Sequence, residues 1–376
     1  MVASEALKIL RQKGLRSPKR LTIAVTGACN LTCCHCWVEA GSSSAAPHVP
    51  ERTLRRLIEE FVALGGEGIR LTGGEPLCHP AWLKLLQFGR SIGVGDVSIQ
   101  TNGMLLTADT VAALGALDFP RLSLQISLDG ATAPTHDLVR GEGAFDGALA
   151  GLRLLVQGGL AQQVTIFFTE MRHNLAEIPV LLQLANDLRI GSVATGSLVL
   201  CGRAAEEAIV APPEPDQYRQ LLQRFDADTG FRELYEKIGN VAALEWRRES
   251  APRAECCTFV ENPYLTPDGN LYPCVLCHVD AFAVAGVFGK NLAAAFAEGT
   301  TLWSSLLQTS HCRAEANPAC QECPGQLVCA GGCMGRAWGS HGDLLAADDR
   351  CELRRSIYQQ NKFLNHAGQH NAVYRK

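Results

Sequence analysis

Six short apolar runs, each followed by a helix-like pattern, constrain what this chain can fold into more than any other feature. The runs at 21–25, 68–72, 97–101, 122–128, 164–168 and 192–200 read as strands. One intervening helix opens at Pro50, places Leu54, Leu57, Ile58, Phe61 and Leu64 on one face, and stops at Gly65 and Gly66. Another opens at Asn174, with Glu177 three residues on. That spacing predicts a capping box ahead of Ile178, Leu181, Leu182 and Ala185. Strand–helix pairs in series predict a parallel sheet with helices outside it. Six such units predict an α/β fold of partial (β/α)6 TIM-like barrel type, with a doubly wound sheet as the competing arrangement.

Pro212, Pro213 and Pro215 break the rhythm, and a helix with Tyr218, Leu221, Leu222 and Phe225 on one face follows. From Ala251 the helical periodicity weakens and cysteine, glycine and proline dominate, as expected of a region organised by metal rather than by a core. The expected division is a basic segment 1–20, a barrel 21–211, a helical bridge 212–250, a cysteine-rich unit 251–360 and a tail 361–376. Neither an internal repeat nor a low-complexity segment is evident. At 376 residues and 47% hydrophobic, the chain can bury a sizeable core. No apolar run is long enough to span a bilayer, and residues 1–10 lack a signal peptide's apolar stretch. A cytoplasmic setting without membrane is expected. The net charge of −4 argues against a nucleic-acid binder.

Of sixteen cysteines, thirteen cluster at 29–36, 256–277 and 312–333, which favours metal over a disulfide scaffold. Cys29-x3-Cys33-x2-Cys36 follows the first strand. A cubane iron–sulfur cluster is usually held by four thiolates, so a loop offering three leaves one iron open. A zinc loop is the competing reading. Cys34 falls off the spacing and reads as a bystander, with His35 and Trp37 packing nearby. The second strand ends in Thr72-Gly73-Gly74-Glu75-Pro76, where two glycines admit a ligand to the backbone and Glu75 offers an acceptor for an amine. Thr101-Asn102-Gly103 and Ser127-Leu128-Asp129-Gly130 end the third and fourth strands, either as walls of one mouth or as plain turns. Glu170, Arg172, His173 and Arg203 fall near the ends of strands five and six, at the mouth or on the surface.

Cys29-x3-Cys33-x2-Cys36 followed by Gly73-Gly74-Glu75-Pro76 resembles the radical S-adenosylmethionine (SAM) superfamily. The resemblance covers about 21–200. It implies a [4Fe-4S] cluster on Cys29, Cys33 and Cys36 whose open iron chelates SAM. One electron then yields methionine and a 5′-deoxyadenosyl radical that removes a hydrogen atom from substrate. It also implies that Gly73, Gly74 and Glu75 hold the methionine amine, with Asn102 and Ser127 near the ribose or carboxylate. Arg140 is a candidate carboxylate partner, with a salt-bridge role as the alternative. The stretch from Cys256 to Cys351 resembles the SPASM extension of that superfamily, implying two auxiliary clusters and three [4Fe-4S] clusters in all. By that resemblance Cys320, Cys323, Cys329 and Cys351 bind the outer one, and Cys256, Cys274 and Cys333 the inner one. Cys277 ranks first as its fourth ligand, ahead of Cys257 and Cys312. Cys78 and Cys201 read as core residues. Run 264–272 reads as a hairpin with an Asp268-Gly269-Asn270 turn.

The resemblance implies an enzyme, an oxidative maturase of a ribosomal peptide (dehydrogenation or crosslinking). The alternatives are radical oxidation or decarboxylation of a small molecule such as a tetrapyrrole or aminoglycoside, and an electron-carrier protein. Only about twenty residues precede the barrel, so either a separate leader-binding protein presents the peptide or the substrate needs no leader; a flavodoxin- or ferredoxin-type reductant is an expected partner. The basic run Lys8, Arg11, Lys13, Arg16, Lys19, Arg20 reads as a solvated helix face, with docking of an acidic partner as the alternative.

Overall fold

The computed structural model describes residues 1–41, 48–206, 209–248, 251–253, 257–277 and 279–360. Six parallel strands carry the first half: β1 (Arg20–Ala24), β2 (Gly68–Thr72), β3 (Asp96–Thr101), β4 (Arg121–Ser127), β5 (Val164–Glu170) and β6 (Ser192–Ser197). Helices pack outside them: α1 (Ala3–Gln12), α2 (Glu51–Ala63), α3 (Trp82–Ser91), α4 (Ala108–Gly115), α5 (Ala133–Arg140), α6 (Ala144–Gln157) and α7 (Ile178–Asp187). Strands β1 to β6 lie side by side in chain order, with Leu21 beside Ile69 and Ile23 beside Leu71. The sheet is open, as in a partial barrel, and β1 is buried on both faces, which is why its sequence does not alternate.

Three further strands lengthen the sheet. β7 (Gly239–Asn240) pairs with β6. The predicted hairpin is present as β8 (Tyr264–Leu265) and β9 (Leu271–Tyr272), and β8 also pairs in parallel with β1 at Thr22 and Ile23. The C-terminal unit is thus hydrogen-bonded to the barrel edge.

The run expected to be strand to residue 200 ends at Ser197. The Leu198 carbonyl accepts from the guanidinium groups of Arg336 and Arg350. Residues 198–202 therefore bend toward the C-terminal unit. The region after Ala251, expected to have little helix, contains the 25-residue helix Leu292–Ala316. Its stripe is blurred because it is buried on several sides, with Ala295, Phe296, Trp303 and Arg313 all 0% exposed. It packs against α1 and α2 and buries Ala6 and Leu10, while Lys8, Arg11 and Lys13 stay exposed, as expected of a solvated basic face. Arg16 and Lys19 pair with Glu261.

The capping box at Asn174 does not form. Glu177 instead accepts from the Ala131 amide at 2.6 Å and the Thr135 hydroxyl at 2.6 Å. Asn174 Nδ2 donates to the carbonyls of Asp129 and Thr169, each at 2.9 Å, and its Oδ1 accepts from the Met171 amide at 2.8 Å. Replacing Asn174 with Ala leaves buried backbone groups unpaired. It should lower stability by about 2–3 kcal/mol, more than a lost helix cap, read as a fall in thermal midpoint and denaturant midpoint.

Candidate radical and cluster site

The loop after β1 carries the first three cysteines. Its backbone is tied at several points. Cys29 N–H donates to Gly41 O at 3.0 Å, Cys34 N–H to Val139 O at 2.9 Å and Cys36 N–H to Cys33 O at 3.2 Å. Arg203 clamps it from outside, donating to Cys33 O at 2.9 Å and Ala40 O at 2.6 Å. Arg203 is thus a brace for the loop rather than a surface residue.

The β2 turn presses on this loop backbone to backbone. Gly74 N–H donates to Thr26 O and Glu75 N–H to Ala28 O, each at 2.8 Å. A Cβ on Gly74 would stand 2.3 Å from Ala28 O, and one on Gly73, whose φ is +141°, 2.3 Å from Thr26 O. Glycine is required here by packing. Glu75 is 1% exposed. Its carboxylate accepts from the Thr101 hydroxyl at 2.6 Å, the Asn102 amide at 2.8 Å and the Leu77 amide at 3.1 Å. It ties the end of β2 to the end of β3, which leaves the backbone of Gly73 and Gly74 as the accessible acceptor surface of this run. Burial pushes the Glu75 carboxyl up, against the Thr101 and backbone donors. Asn102 donates to Asn30 Oδ1 at 2.8 Å, linking β3 to the cluster loop, and Ser127 closes β4, partly exposed.

Asp129, which the sequence presented as half of a turn pair, is the hub of the fourth strand's end. It is fully buried. Its carboxylate accepts from Arg140 Nε at 2.6 Å, the Thr169 amide at 2.7 Å and His35 Nε2 at 3.2 Å. Burial alone would raise this carboxyl, but Arg140 and then His35 overcome that and hold it well below the usual carboxylate range. Arg140 is therefore the salt-bridge arginine of the alternative reading, yet its charge also acts on Cys29 and Cys33. His136 accepts from the Asp129 amide through Nδ1 at 2.9 Å, and burial, with Arg140 beside it, lowers its pKa to about 4.

Cys29, Cys33 and Cys36 lie close enough to act on one another's charge. Burial, then Glu75 and the other two thiols, push Cys29 up to about 12. Thiols gathered in a buried site that resist ionising are ones that a cation would have to turn into ligands. In the C-terminal unit Cys274 lies within hydrogen-bonding reach of Cys257 and Cys277, whose thiols hold it well below its ordinary value. Cys277 and Cys274 in turn feel Cys333. Cys320 is likewise surrounded by Cys351, Cys329 and Cys323. Cys256 lies outside the described residues, and Cys257, ranked lower by sequence, stands with Cys274. Among the described residues no three His, Cys, Asp or Glu side chains converge on one ion. Each set offers thiols alone, the donor type from which iron–sulfur cages are built.

A cavity of about 490 Å³ lies between the barrel mouth and the C-terminal unit. Gly73, Gly74 and Trp37 border it on one side and Leu276, between Cys274 and Cys277, on the other. Cys201, expected in the core, is half-buried in this wall, with its thiol directed to Trp37 O at 3.7 Å. Cys78 is also only partly buried, and Cys312 is exposed, its thiol directed to Thr309 O at 3.4 Å. Glu170 does not line the mouth; it is buried on Thr195 and Tyr218. Arg172 pairs at the surface with Glu214. The sequence carried no local signal for the cavity, since its walls come from eight separate stretches of chain.

Comparison with known proteins adds three findings. The profile of the radical SAM superfamily matches residues 23–185. The chain is 28% identical to an AdoMet-dependent heme synthase of Methanosarcina barkeri over 353 residues, 90% of this chain and 97% of that one. It is also 28% identical to the mycofactocin maturase MftC of Mycobacterium tuberculosis, over 86% of this chain and 80% of that one. In fold it resembles anSMEcpe with bound AdoMet, at TM-score 0.72 and 16% identity, covering 93% of this chain and all of that one. It also resembles SuiB of Streptococcus suis, at TM-score 0.68 and 16% identity, covering 93% and 80%.

Two outcomes follow from this geometry. Gly74→Ala drives a Cβ into the Ala28 carbonyl, so the purified variant should retain less than about half the iron of the parent after identical reconstitution, with increased proteolysis of the 26–41 loop. His136 binds its proton only near pH 4 in the folded state and near its ordinary value when unfolded. Between those values the unfolded chain holds more protons, so stability should rise with pH from about 4 to 6.5. His136→Gln should flatten that slope in denaturant titrations across this window.

Proposed function

The chain belongs to the radical SAM superfamily and carries a SPASM-type extension, and on that premise we propose that it oxidatively matures a peptide. As a member it uses SAM and a [4Fe-4S] cluster. The observation that carries the oxidative reading is the cavity: the three-cysteine loop stands on one side and the Cys274–Cys277 turn on the other. Similarity to a mycofactocin maturase, whose name describes maturation, supports the peptide substrate. When bound, the groups would supply the electron that cleaves SAM and an acceptor for the electron left on substrate.

The chain's own residues have these roles in the proposal. Cys29, Cys33 and Cys36 hold the radical-generating cluster. The backbone of Gly73 and Gly74 receives the methionine amine, and Glu75 fixes that turn by anchoring it to β3. Asn102 and Ser127 face the remaining polar groups of SAM, while Arg140, held by Asp129, sets its charge beside Cys29 and Cys33. Cys320, Cys323, Cys329 and Cys351 hold one auxiliary cluster. Cys274, Cys277 and Cys333 hold the other, with Cys257 as the fourth thiol supported by its contact with Cys274. The barrel 21–211, bridge 212–250 and auxiliary unit 251–360 act as one enzyme. A flavodoxin- or ferredoxin-type protein supplies electrons, a separate protein presents the peptide leader, and the setting is cytoplasmic. No helix among the described residues is long and apolar enough to cross a membrane.

The second reading is oxidation of a small molecule, favoured by similarity to the heme synthase over nearly its whole length. Anaerobic reconstitution should give roughly twelve irons per chain. Cys257→Ala should lose close to four of them; about four irons in the parent would sink the auxiliary assignment. Co-expression with a short peptide from an open reading frame beside the gene should change that peptide's mass, and the lack of such a frame or an unchanged mass would pass the lead to the small-molecule reading.

A further inference from the structure

The same cavity bears on the charge of what enters it. Its walls are largely apolar, with Trp37, Val199, Leu200, Tyr264, Leu276 and Val279 among them. Such walls take bulky apolar groups, and the few polar groups decide specificity. Four charged side chains line it: Glu39, Asp268, Arg336 and Asp349. Two of these are closed on each other. Arg336 donates from Nε to Asp349 Oδ1 at 2.7 Å and from Nη2 to Asp349 Oδ2 at 2.6 Å. Arg336 is 9% exposed, and its Nη2 also reaches the Leu198 carbonyl. Among the described residues, the one cation in the wall is therefore committed.

Glu39 and Asp268 differ. Both are exposed, and among the described residues neither has an ion-pair partner. Asp268 accepts from the side chain of Asn270, a neutral donor, at 2.8 Å. Glu39 is held at φ +53°, a backbone conformation uncommon for glutamate, three residues beyond Cys36. Gly202 packs so closely there that a Cβ on it would meet Cys36 O at 2.8 Å and Glu39 Cγ at 2.9 Å. The stem of the Glu39 side chain thus starts beside the segment that carries Cys36. Two unpaired carboxylates and no unpaired cation make the wall net negative.

We propose that the cavity takes a peptide segment that presents a bulky apolar or aromatic residue next to a Lys or Arg, with Glu39 and Asp268 as the specificity-determining residues. The inference rests on the peptide-maturase reading and goes beyond it. The apolar walls receive the uncharged side chain, and the two carboxylates meet the neighbouring cation at the rim. A tetrapyrrole bearing several carboxylates would face like charges and find no free cation, which disfavours it.

The test is binding, read by anaerobic titration calorimetry of the reconstituted protein with SAM present. Three probes are used: a capped hexapeptide with a central tryptophan flanked by two lysines, its counterpart with two glutamates, and coproporphyrin III. The lysine peptide should bind about tenfold tighter than the glutamate peptide, an advantage that shrinks as salt is raised. In Glu39→Gln/Asp268→Asn, whose iron content and circular dichroism should match the parent, the two peptides should come within about twofold of each other. Equal affinities in the parent, a preference that survives the double variant, or no binding of the lysine peptide overturns the charge inference; the peptide reading is then still judged by the co-expression mass change. Tightest binding by coproporphyrin III overturns both.

Discussion

The backbone contact between the Gly73-Gly74 turn and residues 26–28 is the constraint on which the rest of the site depends. It closes β2 onto the loop after β1 without an intervening side chain. Because both strands end at the same level, the loop cysteines and the turn's backbone face one space. Glu75 extends this order to β3, and Asp129 extends it to β5, to α5 through Arg140 and to the loop itself through His35. Each anchor is a buried carboxylate satisfied by donors from another element. Such groups are costly when unpaired, so they specify one arrangement of strand ends.

The C-terminal unit is not a loose appendage. The β8–β9 hairpin continues the sheet beyond β1, and helix Leu292–Ala316 packs under it against α1 and α2. Arg313, fully buried, donates from Nε to the Leu344 carbonyl at 2.7 Å and from its other nitrogens to the Gly331 and Ala346 carbonyls. Asp348 accepts from the Cys333 amide at 2.7 Å and from Arg354 at 2.6 Å. These bonds order a region rich in glycine and cysteine, and they do so alongside, not instead of, a hydrophobic core. The metal-only expectation for this region was too narrow for that reason.

The strand–helix series was legible because each unit buries its apolar residues in a local pattern. The hairpin was legible because Asp-Gly-Asn turns need no distant partner. Asn174 and Glu177 misled because the same two side chains serve a cap or a long-range bond equally well, and Asp129 and residues 131–135 supplied the long-range partners. The long helix was hidden by its all-round burial. Residues 198–200 look like strand, but two arginines more than a hundred residues away take the Leu198 carbonyl.

By itself the sequence determined the sheet, the three cysteine groups and the chemistry they imply, because periodicity and ligand spacing are written in neighbouring residues. Tertiary structure alone decided that Glu75 is an anchor, that Asp129 is a hub and that Arg140 is its partner. It also decided that Glu39 and Asp268 stand unpaired across one cavity from a committed Arg336. Those are matters of which charges end up together in a low-dielectric interior, and no local pattern carries that information.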